Sequence, residues 1–309
     1  MVTSMRVALI VGGVVIGLVL ATVVTLLAFG RRFRARLRRH PVDVADRRLA
    51  SAWTGPFGYT PSTDPALAEL RERYELDRIA GTGPEIERLV RLMCWVHGLT
   101  THAVYPSHPE EMTGLYLVRS AQEHGKRFNC WMYATVLNDV LLSLGFASRI
   151  VHLYPPKQSP KESHYVIAVY SREHHRWIHL DPDMCAYVAD EHGTPLGIGE
   201  IRQRVVDRHP LRVSDTIHFA HASWLGRRLL KRIYIWYLSK NLFRFQCPAC
   251  SAPGYETQFA GNVYVQLLPT GYHGDWLEKA RRGRQGTLSF CIRDPEVFWA
   301  PPDQPSTER

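Results

Sequence analysis

Asn129-Cys130-Trp131-Met132-Tyr133-Ala134 opens an apolar-periodic run that continues to Leu144 and stops at Gly145. Met132, Val136, Leu137, Val140, Leu141 and Leu144 recur at helical spacing, which predicts a buried helix. Asn129 suits the N-cap, because its side-chain oxygen can accept from a first-turn N–H, and Gly145 suits the position just past the helix, where left-handed backbone is favoured. Cys130 then falls in the first turn. A thiol there feels the positive end of the helix dipole, which favours thiolate and lowers the pKa from a free value of about 8.5. Taken alone such a cysteine is more often a small buried hydrophobe than a nucleophile. Two stretches downstream change that balance.

Ser163-His164-Tyr165-Val166-Ile167-Ala168-Val169-Tyr170 and Arg176-Trp177-Ile178-His179-Leu180-Asp181 are rich in β-branched and aromatic residues, and the polar Ser171 to His175 lies between them. They read as a β-hairpin. Side chains alternate faces along a strand, so His164 groups with Val166 and Ala168, and Asp181 groups with Trp177 and His179. A four-residue turn over Arg172 to His175 makes the two faces coincide and brings His164 within reach of Asp181, directly or diagonally. Another loop length would flip one strand and part them. The result is a thiol, an imidazole to take its proton and a carboxylate to orient the imidazole, the general arrangement of a nucleophilic site. His179 is the main rival for the base, but a His in the same strand as its orienting acid is hard to aim at Cys130. His174 and His175 belong to the turn and are expected in solvent.

Cys-Trp-x-Tyr-Ala opening a helix, Leu144-Gly145-Phe146-Ala147-Ser148-Arg149-Ile150-Val151, a His leading a strand, and Trp-Ile-x-Leu-Asp-Pro together resemble the transglutaminase-like superfamily. The resemblance covers roughly Glu85 to Arg204, with three separated blocks in the right order. It implies an α+β, papain-like core of helices on an antiparallel sheet, with Cys130, His164 and Asp181 on the catalytic triad positions. It also implies acyl transfer on amides, as in the superfamily's transglutaminases, cysteine proteases and peptide N-glycanases. No cofactor is implied, and the partner is a protein or peptide substrate. Lys240 to Phe245 and Asp294 to Trp299 resemble a bacterial, membrane-anchored branch. True transglutaminases have Gly-Gln before the Cys where this chain has Phe128-Asn129. The Cys130 N–H can supply one oxyanion donor, and the second is open among Asn129, Trp131 and residues upstream. Hydrolysis of a peptide or side-chain amide is the preferred outcome, since bulk water competes with any amine acceptor. Transglutaminase-type crosslinking is the alternative, and a membrane-tethered binding module on the same fold is the alternative of another class.

The chain has 309 residues, 45% of them hydrophobic, enough for one sizeable core. Residues 7–29 carry no charge and number about 23, enough to cross a hydrocarbon layer of ~30 Å as a helix. This run exceeds the apolar region of a secretory signal and is expected to be a membrane anchor. Arg6 alone precedes it, whereas Arg31, Arg32, Arg34, Arg36, Arg38 and Arg39 follow at once. The positive-inside rule puts the catalytic domain on the cytoplasmic side, with Arg31 to Arg39 on anionic headgroups. These six arginines account for much of the net charge of +9, and no nucleic-acid motif accompanies it. The expected divisions are a flank at 1–6, the span at 7–29, a basic juxtamembrane segment and linker at 30–63, the catalytic core at 64–210 and a C-terminal extension packed on it at 211–309. Oligomeric state is not legible.

Further helices are expected from Pro65, over Glu85 to Thr100, and from about Pro109 to His124. Cys94, in the second of these, reads as packing. Ser148 to Tyr154 reads as a strand and Pro155 to Lys161 as a loop bordering the site. Trp224 to Lys240 reads as a basic helix with its apolar stripe at Leu225, Leu229, Ile233 and Trp236, packed on the core. Cys247 and Cys250, with Cys291 and His273, offer a weak metal alternative, weak because the second half lacks a paired ligand spacing. Paired or free structural cysteines are preferred there, and mostly reduced ones in a cytoplasmic domain.

Overall fold

The structure is a computed structural model that describes residues 30–42, 53, 55–104, 106–156, 163–219, 226–272 and 286–302. The apolar segment 7–29, His273, and most of the loop before His164 lie outside the described residues. Among the described residues no helix is long and apolar enough to cross a membrane.

The described chain begins with a helix at residues 30–39 (α1). The rest follow as β1 (Gly58–Tyr59), α2 (Pro65–Arg73), α3 (Leu76–Ala80), α4 (Glu85–Gly98), α5 (Gly114–His124) and α6 (Cys130–Ser143). Next come β2 (Ser148–Tyr154), β3 (His164–Ser171), β4 (Arg176–Asp181), β5 (Ala186–Ala189), α7 (Ile198–Asp207), β6 (Arg212–Val213) and α8 (Arg227–Asn241). The chain closes with β7 (Arg244–Pro248), β8 (Cys250–Ser251), β9 (Val263–Leu267), β10 (Leu288–Ile292) and α9 (Pro295–Phe298).

Helix α6 is the centre of the molecule. Every residue from Trp131 to Ser143 is buried, so the helix is enclosed on all sides rather than presenting one apolar stripe. Asn129 caps it, its Oδ1 accepting from the Met132 N–H at 3.0 Å. Gly145, at φ +80°, takes the left-handed position beyond its end, and its N–H donates to the Leu142 carbonyl at 2.9 Å.

Eight strands form one mixed α+β sheet in the order β10-β9-β7-β2-β3-β4-β5-β6. All neighbours are antiparallel except β9 and β10. Ile150, Ile167, Val169, Ile178 and Leu180 point to the layer of α4, α5 and α6. Val151, Leu153, Val166, Ala168 and Trp177 point to the other layer, which holds Leu37 of α1, Ile201 of α7 and Leu238 of α8. The 211–309 region thus extends the sheet with β7, β9 and β10 and covers its second face with α8.

Two local expectations are corrected. Helix α5 starts at Gly114 instead of near Pro109, because the Thr113 hydroxyl caps it by accepting from the Tyr116 N–H. The buried stripe of α8 is Leu230, Tyr234 and Leu238, turned by one or two positions from the apolar stripe read in the sequence, and Leu229 is exposed. Helix α1, in the basic segment expected beside the membrane, also packs on the core: Leu37 is buried, Phe33 meets Trp236, and Arg34 Nε donates to the Val205 carbonyl.

Arg149 has its guanidinium between Phe57 and Trp177, 4.3 and 4.1 Å from their ring centres, and donates to the Phe298 carbonyl. This buried cation ties the segment before α2, the sheet and α9 together through ring faces.

Asp139 of α6 is wholly buried and accepts from the Gly114 N–H at 2.6 Å. Burial pushes its carboxyl up to about 7, the Gly114 hydrogen bond opposing the shift only in part. A raised acid pKa means that the folded state holds this proton more tightly than the unfolded chain does. Stability contributed by the neutral form is therefore lost as pH rises from about 4 through about 7. Asp139→Asn, with the same shape and an amide oxygen that can take the place of Oδ2 in accepting from Gly114, is expected to melt higher than the parent at pH 8 and to lose that advantage near pH 4. Calorimetric melts of both proteins across this range check it.

Candidate active site

The antiparallel hairpin fixes the site. Ser171 pairs with Arg176 and Ile167 with Leu180, so residues 172–175 form the four-residue turn expected from the sequence. Continued by one step, this register sets Asp181 across from Val166 and diagonal to His164. His164 is the first residue of β3 and Asp181 the last of β4. Both therefore stand at the same rim of the sheet, where a side chain can reach round to the start of α6. His164 Nε2 donates to Asp181 Oδ2 at 2.7 Å, and both side chains are buried.

Asp181 is held from three directions. Besides His164, the Tyr234 hydroxyl donates to Oδ2 at 3.0 Å and the Met184 N–H donates to Oδ1 at 3.1 Å. Burial opposes its charge, but His164 above all, with His179 and the Met184 N–H, outweighs that and holds the carboxyl below the usual range. For His164 burial again works against the charged form, and Tyr237, Asp181 and Cys130 outweigh it, holding the imidazole well above its ordinary value. The Tyr237 ring stands edge-on to the imidazole at 5.1 Å.

Cys130 is the first residue of α6 and remains partly exposed. Its sulfur, a His164 ring nitrogen and an Asp183 oxygen all lie within 4.8 Å of one another. Because Nε2 is committed to Asp181, Nδ1 is the nitrogen left for the thiol, and it is buried with no other hydrogen-bond partner. The geometry brings together the three side chains singled out in the sequence.

The side chains of the auxiliary candidates Asn129 and Trp131 are engaged elsewhere. Asn129 Oδ1 caps α6. Trp131 Nε1 donates to Glu256 Oε2 at 2.5 Å, and its ring stacks between Tyr165 and Phe259. Asn129 Oδ1 takes the Met132 N–H and the Asn129 carbonyl takes the Tyr133 N–H, so the first-turn donors left to α6 are the N–H groups of Cys130 and Trp131.

The rival His179 is buried, which pushes its pKa down to about 4, and its Nε2 is 3.4 Å from the Tyr234 hydroxyl. It is neutral and turned to α8. Cys247, Cys250 and Cys291 do not gather into a ligand set among the described residues. Cys247 on β7 and Cys291 on β10 are separated by the whole of β9, about 10 Å of sheet. Cys94 lies against Cys185, sulfur to sulfur at 2.7 Å.

Sequence reasoning missed Asp183, Tyr234 and Tyr237. Asp183 accepts from His102 Nδ1 at 2.8 Å and is buried. It lines a cavity of about 190 Å³ with His97, His102, Tyr133, His218 and Phe219. A larger cavity of about 380 Å³ lies by Arg176, Trp177 and Trp299, at the other end of β4 from Asp181.

Residues 75–182 match the family model of the transglutaminase-like superfamily. This stretch is similar to a transglutaminase-like core. Cys130, His164 and Asp181 all lie inside it, whereas Asp183 lies just beyond it and Tyr234 and Tyr237 come from α8. No curated protein matches the chain. Among solved structures, a protein from Cytophaga hutchinsonii described as a candidate cysteine protease is similar, with 12% identity and a TM-score of 0.32. The similarity covers 56% of this chain, which spans 64% of the length of that protein.

Two measurements follow from this transglutaminase-like core. In Asp181→Asn, the imidazole of His164, followed by nitrogen-resolved NMR, should lose its proton about 1–3 pH units lower than in the parent. Tyr234→Phe removes a donor to a buried carboxylate and should cost about 1.5–3 kcal/mol in denaturant titration. A loss near zero would show that Tyr234 is there for packing alone.

Proposed function

We propose that this chain is a membrane-anchored thiol enzyme that performs acyl transfer on amide bonds, most favourably hydrolysis of a peptide or side-chain amide. The observation that carries the reading is the buried His164–Asp181 hydrogen bond of 2.7 Å with the Cys130 sulfur beside the ring's other nitrogen. In the proposed cycle the Cys130 thiolate attacks the amide carbonyl while His164 holds the proton. The tetrahedral oxyanion is met by the N–H of Cys130 and a second first-turn N–H at the positive end of α6. His164 passes the proton to the leaving amine, the carbon–nitrogen bond breaks and a thioester remains on Cys130. Water, activated by His164, adds to the thioester and releases the acid. Asp181 keeps the ring oriented throughout, and Tyr234 holds Asp181.

Hydrolysis is favoured over transfer to an amine because Cys130 is partly exposed, and water reaches a thioester there without a dedicated acceptor channel. The reading extends to location. Residues 7–29 anchor the core, and the arginines from Arg31 to Arg39 hold it at the cytoplasmic face. In support, α1, which begins at residue 30, packs on α7 and α8 through Arg34 and Phe33.

The test is turnover of glutamine-bearing peptides by the full chain in detergent, with and without a primary amine, analysed by mass spectrometry. Acid product that disappears in Cys130→Ala and falls by about 10³-fold or more in His164→Ala supports the reading. Amine adduct in place of acid would make the enzyme a crosslinker. Failure of Cys130 to react with thiol-directed electrophiles faster than Cys250 does would end the catalytic reading.

A further inference from the structure

Asp183 is a carboxylate standing beside a nucleophilic thiol, a place where acyl-transfer chemistry has no need of one. It is buried, it lies within 4.8 Å of both the Cys130 sulfur and a His164 nitrogen, and one of its oxygens is held by His102. The three side chains together offer a thiolate, an imidazole nitrogen and a carboxylate oxygen, the donor set that Zn²⁺ accepts.

We propose that Cys130, His164 and Asp183 form a Zn²⁺ site, and that the ion acts as a reversible blocker of the thiol. The site rests on the juxtaposition of Cys130 and His164 but not on turnover by them.

Two observations beyond the cluster itself point to a ligand. The first is His164 Nδ1, a polar atom on a side chain that is 1% exposed, aimed at the Cys130 thiol and with no other hydrogen-bond partner. The second is the outer shell. A metal-bound imidazole commonly donates its other N–H to a carboxylate, which fixes the tautomer and raises the basicity of the ligating nitrogen. His164 Nε2 donates to Asp181 in this way, so Nδ1 is the nitrogen that meets the ion, after it gives up the proton it shares with the thiol. Asp183 is oriented by the same device, with His102 Nδ1 on Oδ1. Both buried ligands thus come with a partner that aims them.

The dimensions are within reach. With Zn–S of about 2.3 Å and Zn–N and Zn–O of about 2.0–2.1 Å, a tetrahedral ion sets its ligand atoms about 3.3–3.6 Å apart. From separations of at most 4.8 Å, the three atoms therefore have to draw together by about 1.2–1.5 Å at most. Cys130 is the partly exposed member and can rotate to meet the ion, and the one proton shared by its sulfur and His164 Nδ1 passes to solvent. The fourth position then faces the exposed side of Cys130 and takes water. While the ion is bound, the sulfur cannot attack an amide.

Cobalt(II) replaces zinc in such sites and reports a sulfur ligand through a near-ultraviolet thiolate-to-metal charge-transfer band. The experiment is titration of the full chain in detergent, under a non-chelating reductant, with CoCl₂ and then with competing ZnCl₂. One equivalent of cobalt should raise the band and zinc should abolish it. Cys130→Ala should lose the band, and Asp183→Asn, which keeps shape and an acceptor for His102, should bind far more weakly with an unchanged melting temperature. His102→Ala, which disturbs only the outer shell, should weaken binding by about 10–100-fold. Cys247→Ser with Cys250→Ser should leave the band intact. A band that survives Cys130→Ala, one that needs Cys247 and Cys250, or an affinity indifferent to Asp183 would each overturn the proposal. Cobalt binding without peptide turnover would leave the metal site standing and the catalytic reading fallen, and turnover that zinc never slows would do the reverse.

Discussion

Complete burial of α6 is the constraint from which the rest of the structure follows. A helix enclosed on every side must find partners for its polar groups as well as its apolar ones. Asn138 accepts from Ser148 at the start of β2 and from Ser251 of β8, and Asp139 accepts from Gly114 at the start of α5. The close approach of α5 leaves no room for a side chain at position 114, where a Cβ would fall 2.9 Å from that of Asp139. These few hydrogen bonds tie the central helix to the sheet, to the small β1–β8 pair and to the helical layer, and so fix where its N-terminus emerges. The thiol is placed by the packing of the residues behind it.

The chemistry of the site is set by burial acting on a pair of groups that can share a charge. Either His164 or Asp181 alone would resist ionisation there, and each holds the other in the charged form. The neighbouring His179, equally buried but without a carboxylate of its own, is pushed the opposite way and stays neutral. Two histidines two or more residues from the same aspartate thus have opposite protonation because one donates to it directly and the other faces a tyrosine.

What could be read from the sequence was what local rules govern. Asn129 and Gly145 marked the ends of α6, and the alternation of β3 and β4 with a four-residue turn placed His164 beside Asp181. What could not be read depended on how distant parts meet. Tyr234 belongs to a helix whose residues offer apolar groups on nearly every side, so periodicity pointed to Leu229 and Ile233 while the sheet selected Leu230, Tyr234 and Leu238. Asp183 resembled an ordinary turn residue after Asp181-Pro182, and nothing nearby in the chain announced that His102, 81 residues earlier, would hold it. Residues 211–309 offered short strands without strong alternation, and their place at the edge of the sheet is settled by pairing with β2.

The turn at residues 172–175 carries a consequence for how this protein can change over generations. Side chains along a strand alternate, so adding or removing a single residue in that turn exchanges the inner and outer faces of one arm of the hairpin unless a bulge absorbs it. Two residues more or fewer preserve the faces. Descendants can therefore vary the composition of this turn within what the Glu173 hydrogen bond to the Glu85 N–H and the left-handed backbone of His175 allow, but its length is inherited by parity: even steps leave the histidine and the aspartate together, and a single odd step separates them without touching either residue.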